Sequence, residues 1–444
     1  MVNFNESFKP EFNEMRFSFI NISAICHQIL FGLCLFISLV FHADAGIEDV
    51  NKGKLFEDNL CVQVKFFQGQ PLTDLTMLKK LGVKWVRDED QWHRIEQTAG
   101  VYAPLSASLQ TRLAYYKAND IGVIFIVGGE NPVAYPNSKE KPYNFVNAEA
   151  YGNYAAYMAK QLKASGVRFV LELWNEPHNR LFAKKEHLGG VWHGGPPSPW
   201  VDQYVKMVSE AVQRVKAIDP NIRLITDDDM WIVHYFFLDK GLPKDLDGFA
   251  VHPYTGGRPP EITAVEYQSD WTKPYHVVDP DQSFESAVRR LVEHGQLKMG
   301  KTPSIWATEW GWRVGERSPD GLEMSEAEIA AYLPRAFILA TAAGIEATCW
   351  FSAQDVVDGP MGLKTNDGRY RPAFDAFVKM SETLAKTRYE CELKQETTHT
   401  DKRAFLFRKE NDWLIASWHT KKAYPEHQVQ YFIKNSNEYV PKCL

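Results

Sequence analysis

Short apolar runs and longer amphipathic stretches alternate along most of the chain. The runs are Cys61–Phe67, Lys84–Asp88, Gly122–Gly128, Arg168–Trp174, Ile222–Asp227, Gly248–Pro253, Ser304–Trp310 and Glu346–Phe351. They are nearly continuous in apolar residues, as expected of strands buried on both faces. Between them apolar residues recur at helical spacing. Leu75, Leu78 and Leu81 share one face of the first stretch, and Tyr151, Tyr154, Met158 and Leu162 one face of another. Gly82, Gly122, Gly166 and Gly344 stand just before or at strand starts, where left-handed helix caps are expected. Ser198-Pro199 reads as a helix start.

Eight such strand–helix units predict an α/β fold, a (β/α)8 TIM barrel. An open doubly wound sheet is the alternative. It is disfavoured because no glycine-rich phosphate loop follows the first strand. Past Ala385 the pattern switches to Tyr389–Lys394, Ala404–Lys409, Trp413–Trp418 and Val429–Ile433, which alternate like antiparallel strands. This predicts a small β appendage over residues 388–444, completed by residues just after the N-terminal segment. Its expected role is packing against the barrel, with carbohydrate binding the alternative.

The N-terminus reads as a targeting segment. Lys9 and Arg16 precede the apolar run Ile29–Phe41, and Ala43-Asp-Ala45 supplies small residues for cleavage. The run is shorter than the ~18 residues expected of a membrane span. A signal peptide over residues 1–45 is therefore expected, with Met15 an alternative start. The body, whose barrel spans 46–387, is then secreted or periplasmic. An uncleaved anchor, and with it membrane association, is the alternative.

Net charge is −6 with both signs interspersed, and no basic stripe suggests nucleic acid. Thirteen Trp and nineteen Tyr supply many rings suited to stacking on sugars, although core filling also uses them. Of the six Cys, Cys26 and Cys34 lie in the targeting segment. Cys61 and Cys349 fall inside strands and read as buried thiols, whereas a Cys391–Cys443 bridge stays open. No Cys/His spacing suits zinc, and no metal or cofactor is expected.

The chemistry concentrates in two strings, Phe169-Val-Leu-Glu-Leu-Trp-Asn-Glu-Pro177 and Ser304-Ile-Trp-Ala-Thr-Glu-Trp-Gly-Trp312. Each is an apolar strand ending in a carboxylate beside Trp. A charge there must be paired or useful. Glu176 ends the fourth strand and Glu309 the seventh, at the barrel end where active residues gather. Such a pair can cleave a glycosidic bond, one protonated and one ionised. Arg87 and Tyr254 are placed to hold Glu309 ionised as the nucleophile, and a neighbouring carboxylate would keep Glu176 protonated as acid/base. Asn175 is a candidate for a sugar hydroxyl. Trp350 is a candidate platform under the sugar, and Trp312 and His252 are further candidate substrate-binding residues. His252 reads equally well as a core histidine, and Arg87 alternatively as a barrel-core ion pair. Glu172 reads as a buried paired carboxylate. Asp227-Asp-Asp229 reads as a solvated or helix-capping cluster, with metal or sugar hydroxyls the alternative.

Trp174-Asn-Glu-Pro177 and Thr308-Glu-Trp-Gly-Trp312 resemble the acid and nucleophile motifs of the retaining glycoside hydrolases of clan A. With Arg87, His252-Pro-Tyr254, Trp350, Trp92-His-Arg-Ile-Glu96, Met361-Gly-Leu363 and Arg371-Pro-Ala373, the resemblance is nearest to glycoside hydrolase family 39, in its bacterial branch linked to exopolysaccharide. It covers roughly Leu55 to Leu384. His178 departs from the Asn often found after the Pro. The resemblance implies a retaining β-glycosidase acting on a polysaccharide or oligosaccharide, with its carboxyl groups about 5–5.5 Å apart. The long loops His178–Ser198 and Thr255–Ser283 carry Trp192, His193, Tyr267, Trp271 and Tyr275, which suit an open groove and endo action. The alternative function is an envelope polysaccharide-binding or biosynthesis-partner barrel with little or no catalysis.

Overall fold

Eight parallel strands close on themselves in sequence order in the computed structural model. They are β1 (Leu60–Gln63), β2 (Trp85–Asp90), β3 (Gly122–Val127), β4 (Phe169–Leu173), β5 (Arg223–Asp228), β6 (Gly248–Val251), β7 (Ser304–Trp310) and β8 (Thr348–Trp350). A helix follows each: α1 (Leu75–Leu81), α2 (Ala107–Ala118), α3 (Ala148–Ser165), α4 (Pro199–Ile218), α5 (Trp231–Lys240), α6 (Phe284–Met299), α7 (Glu326–Ala342) and α8 (Pro372–Leu384). The structure describes residues 54–136, 146–179, 195, 198–229, 231–262, 283–318, 321, 323–355, 358–394, 401–420, 427–435 and 442–443. The N-terminal stretch expected to be a targeting segment lies outside these residues, as do Trp192, His193, Tyr267, Trp271 and Tyr275. Among the described residues no helix is long and apolar enough to cross a membrane.

The helix faces read from the sequence are the buried ones: Leu75, Leu78 and Leu81 on α1, and Tyr151, Tyr154, Met158 and Leu162 on α3. Gly82, Gly166 and Gly344 take positive φ at helix ends. Gly122 does not. It starts β3 against the Trp85 ring, which a Cβ would meet at 2.5 Å. Pro199 opens α4, but the Ser198 hydroxyl donates to the Gly195 carbonyl instead of capping the helix.

Inside the barrel, Cys61, Trp85, Ile124, Val170, Ile225, Ala250, Trp306 and Cys349 form an apolar plug. Trp85 and Trp306 meet edge to face, 5.4 Å between centroids. Successive residues of a strand alternate sides, so the residue two further on re-enters the barrel one layer nearer the carboxyl ends. On six of the eight strands that layer is polar: Gln63, Arg87, Glu172, Asp227, His252 and Thr308, all buried. The site is thus a charged floor laid directly on the plug.

Two expectations about the rest of the chain are corrected. Cys61 and Cys349 are not free thiols but a disulfide across 288 residues of sequence. Barrel closure makes β1 and β8 neighbours, and their register sets Cys61 opposite Cys349. The appendage is a four-stranded antiparallel sheet of β9 (Arg388–Glu392), β10 (Lys402–Lys409), β11 (Asp412–His419) and β12 (Gln430–Asn435). Among the described residues no N-terminal strand completes it. Phe56, before β1, packs instead against Phe407 at 5.7 Å. Phe405, Phe407, Leu414, Ala416 and Trp418 of the sheet join the main apolar core, which explains why a sheet this small can persist. A second disulfide, Cys391–Cys443, ties the chain end to β9.

Candidate active site

Arg87 is the centre of the charged floor. Fully buried, it donates from Nε to Glu172 Oε2 at 2.6 Å, from Nη1 to Gln63 Oε1 at 2.9 Å and to Glu309 Oε1, and from Nη2 to Asn175 Oδ1 at 2.7 Å. A buried guanidinium resists its own desolvation only when its donors meet carboxylates, as they do here. Burial works against its charge, but Glu172, Glu309 and Asp227 together hold it firmly protonated. The barrel-core ion pair and the contact with Glu309 are therefore properties of one residue. Glu172 is the paired carboxylate that the sequence suggested; its Oε1 also accepts from the Thr308 hydroxyl at 2.7 Å.

Glu309 reaches this network by a break in strand alternation. Thr308 already points inward, onto Glu172 and His252. Between Ala307 and Trp310, β7 spends three steps against two on β8. A bulge of this kind re-aims a side chain beside an active site. Glu309 Oε1 then accepts from Arg87, and Oε2 accepts from the Tyr254 hydroxyl at 2.8 Å. Burial opposes its ionisation, but the charges of His252, Arg87 and Lys65 and the Tyr254 hydrogen bond hold its pKa down to about 2.

Glu176 sits in the opposite environment. Burial raises its pKa, an effect that the His252 contacts only partly offset. Its Oε1 lies 2.9 Å from His252 Nδ1, and its Oε2 accepts from Asn179 Nδ2 at 2.8 Å. The backbone that presents it is strained: Trp174 has φ 82° and Glu176 φ 45°. Such conformations cost roughly 1–3 kcal/mol each and persist only where the surroundings impose them. Here Asp227 Oδ2 accepts from the Glu176 N–H at 2.7 Å, and Asp228 Oδ2 from the His178 N–H at 3.3 Å. His178 Nδ1 lies 2.9 Å from Asp228 Oδ1 and 3.0 Å from Asp229 Oδ1. Burial lowers the His178 pKa, but the two aspartates overcome it and push it up to about 11. Asp227 and Asp228 are fully buried, so Asp227-Asp-Asp229 is not a solvated cluster. It clamps the loop that carries Glu176.

His252 joins the two halves. Its Nε2 lies 2.9 Å from Asp227 Oδ1 and 3.2 Å from Thr308 Oγ1. Burial disfavours its charge, but Asp227, Glu309 and Glu176 raise its pKa well above the usual value. One oxygen each of Glu176 and Glu309 and a ring nitrogen of His252 all lie within 4.8 Å of one another. Similar spacing holds for Glu172, Asp227 and His252, and for His178, Asp228 and Asp229. In both of those groups ion pairs and hydrogen bonds account for the spacing.

Trp350 and Trp312, read from the sequence as substrate-binding, are both enclosed. Their ring centroids are 5.9 Å apart. The Trp312 indole N–H is committed to Thr255 Oγ1 at 2.8 Å and the Arg258 carbonyl at 2.9 Å. Trp312 therefore pins the start of the loop after β6. A wider Trp cluster replaces the open platform: Trp310 lies 6.2 Å from Trp312. Sequence reasoning missed Gln63, Lys65, Thr308 and Asn179. Strand parity with Cys61 and Trp306 would have found Gln63 and Thr308.

No protein-family model and no curated protein sequence matches the chain. Solved structures do. A family 39 glycoside hydrolase from the gut symbiont Bacteroides cellulosilyticus WH2 is 18% identical, with a TM-score of 0.64 over 86% of this chain and 80% of that one. A glucosidase from Croceicoccus marinus is 15% identical, with a TM-score of 0.52 over 77% of this chain and 70% of that one. These likenesses establish the barrel architecture that the strands describe.

Proposed function

We propose that the chain is a retaining glycoside hydrolase that cleaves β-glycosidic bonds in a polysaccharide, with Glu176 as acid/base and Glu309 as nucleophile. One observation carries the reading. The two carboxyl groups bring oxygens within 4.8 Å of each other while their environments push their pKa values apart. A separation of about 5–5.5 Å suits a nucleophile attacking the anomeric carbon directly; an inverting enzyme needs about 6.5–9.5 Å to admit a water.

In the first step Glu309 forms a bond to the anomeric carbon as the glycosidic oxygen leaves with the proton of Glu176. In the second, Glu176 takes a proton from water, whose oxygen displaces Glu309 with net retention. Asn175, its Oδ1 fixed on Arg87, can turn its amide nitrogen to the sugar. The fold shared with a family 39 glycoside hydrolase and a glucosidase is consistent with this chemistry. The aromatic content of the long loops supports endo action on a polymer, the apolar N-terminal segment supports export, and the likeness of the motifs to the exopolysaccharide-linked branch supports a bacterial exopolysaccharide as substrate.

Incubation with a panel of polysaccharides tests this. The expected outcome is early release of mixed oligosaccharides whose first-formed reducing ends have the β configuration by NMR. Monosaccharides from chain ends from the outset would refute endo action, and an α first product would refute retention.

A further inference from the structure

Lys65 lies just past β1, two residues beyond Gln63, and is only 6% exposed. Its ammonium sits 4.7 Å from the centroid of the Phe351 ring, at the end of β8. That ring meets Tyr254 edge-on at 6.3 Å, and the Tyr254 hydroxyl donates to Glu309. The cation therefore faces the same mouth as the two glutamates. Among the described residues its Nζ makes no hydrogen bond and no ion pair within 4.0 Å.

An ammonium carries three donors and no acceptor, so one held in a nearly closed mouth without a protein partner must turn its donors to water or to a ligand. The Phe351 face covers one side of it by a cation–π contact. The other cations of the floor are committed: Arg87 to Glu172 and Glu309, His252 to Asp227 and Glu176. Lys65 is left with donors to offer a ligand. Glu89, two residues past Arg87 on β2, would oppose an anion if ionised; burial raises its pKa, against the pull of Lys65 and Arg87.

We propose that Lys65 binds the carboxylate of a uronic acid residue in the sugar seated against Glu309, which makes the substrate an acidic polysaccharide. This rests on the glycosidase reading for the sugar's position, but not for the binding itself. Charge-assisted pairing in a mostly enclosed site supplies both affinity and discrimination against the neutral sugar, which would leave the ammonium unmet by the ligand.

The test compares a panel of uronate-containing polysaccharides with their carboxyl-reduced forms, which keep the same backbone and linkages. Binding is read by calorimetry in a Glu176→Gln background, so that turnover does not interfere. At least one acidic polymer should bind about ten-fold or more tightly than its reduced form. Lys65→Met should remove that preference, and Lys65→Arg should keep it. Lys65→Gln serves if the Met variant fails to fold by circular dichroism. The proposal is overturned if no acidic polymer is preferred, or if the preference survives in the neutral variants. It is also overturned if Lys65→Met slows the wild-type background equally on acidic and neutral substrates, since Lys65 would then act on Glu309 alone. Cleavage of neutral polymers without any carboxylate preference sinks this inference and leaves the glycosidase reading intact. Carboxylate-dependent binding without turnover does the reverse.

Discussion

His252 Nδ1 stands 2.9 Å from Glu176 Oε1 and 3.8 Å from Glu309 Oε2. One imidazole thus touches both carboxyl groups while Asp227 holds its far side at 2.9 Å. The proton between Glu176 and His252 belongs to the pair, and their titration is coupled. Glu309, bound by Arg87 and Tyr254, feels the same imidazole through its charge, which helps hold it ionised.

The two glutamates should fail differently. Glu309→Ala should abolish turnover, and azide should restore it with an α-glycosyl azide as product. Glu176→Ala should retain activity on aryl glycosides with good leaving groups, which need no proton in the first step, and azide should then yield the β product. Equal loss on activated and natural substrates for Glu176→Ala would remove it from the acid role.

The pH profile of kcat/KM should be a bell with a distant acid limb. Glu309, with its pKa lowered to about 2, must be ionised, and Glu176, whose pKa burial raises, must be protonated. Tyr254→Phe removes the donor to Glu309 Oε2, so the acid limb should move to higher pH while the alkaline limb stays. The stability consequence has the same sign. A depressed carboxylate stabilises the fold above its unfolded pKa, and that contribution is lost as pH falls through the folded value. An unmoved acid limb in the variant would show that the hydroxyl does not tune the nucleophile.

The Cys61–Cys349 bridge joins the first and last strands beneath the charged floor. Replacing both residues by Ala should lower stability by about 2–5 kcal/mol. The plug lies one layer below Arg87, so kcat/KM at moderate temperature should stay within about two-fold. Denaturant melts of the variant and the parent decide the first point. Initial rates decide the second.

The appendage holds the loop after β6. Trp418 Nε1 on β11 donates to Glu261 Oε1 at 2.6 Å, and Arg335 of α7 pairs with the same carboxylate. Trp418→Phe keeps most of the ring and loses the N–H, so it should cost about 1.5–3 kcal/mol, as for a hydrogen bond to a charged group. Thermal unfolding should remain one transition, because Phe405 and Trp418 belong to the barrel's apolar core. Two separate transitions would mean that the sheet folds on its own.

The order of eight strand–helix units and the positions of Glu176 and Glu309 were legible in the sequence. Both follow from local information: apolar runs, helical periodicity, and a carboxylate closing a strand where only a pairing or a reaction explains it. The expected roles of Arg87 and Tyr254 toward Glu309 needed only the rule that barrel strand ends meet. What tertiary structure decided depends on register and closure, which couple residues far apart in sequence. Strand pairing set Cys61 opposite Cys349 and made two apparent thiols one bridge. An extra step on β7 turned Glu309 inward against the strand's alternation. Placement of β5 beside the turn after β4 made Asp227 and Asp228 the acceptors that hold a strained loop, a role no local pattern of three aspartates could announce. Packing against Thr255 and Arg258 turned Trp312 from a candidate sugar contact into a pin for the adjoining loop, because its single N–H can serve only what the fold brings to it.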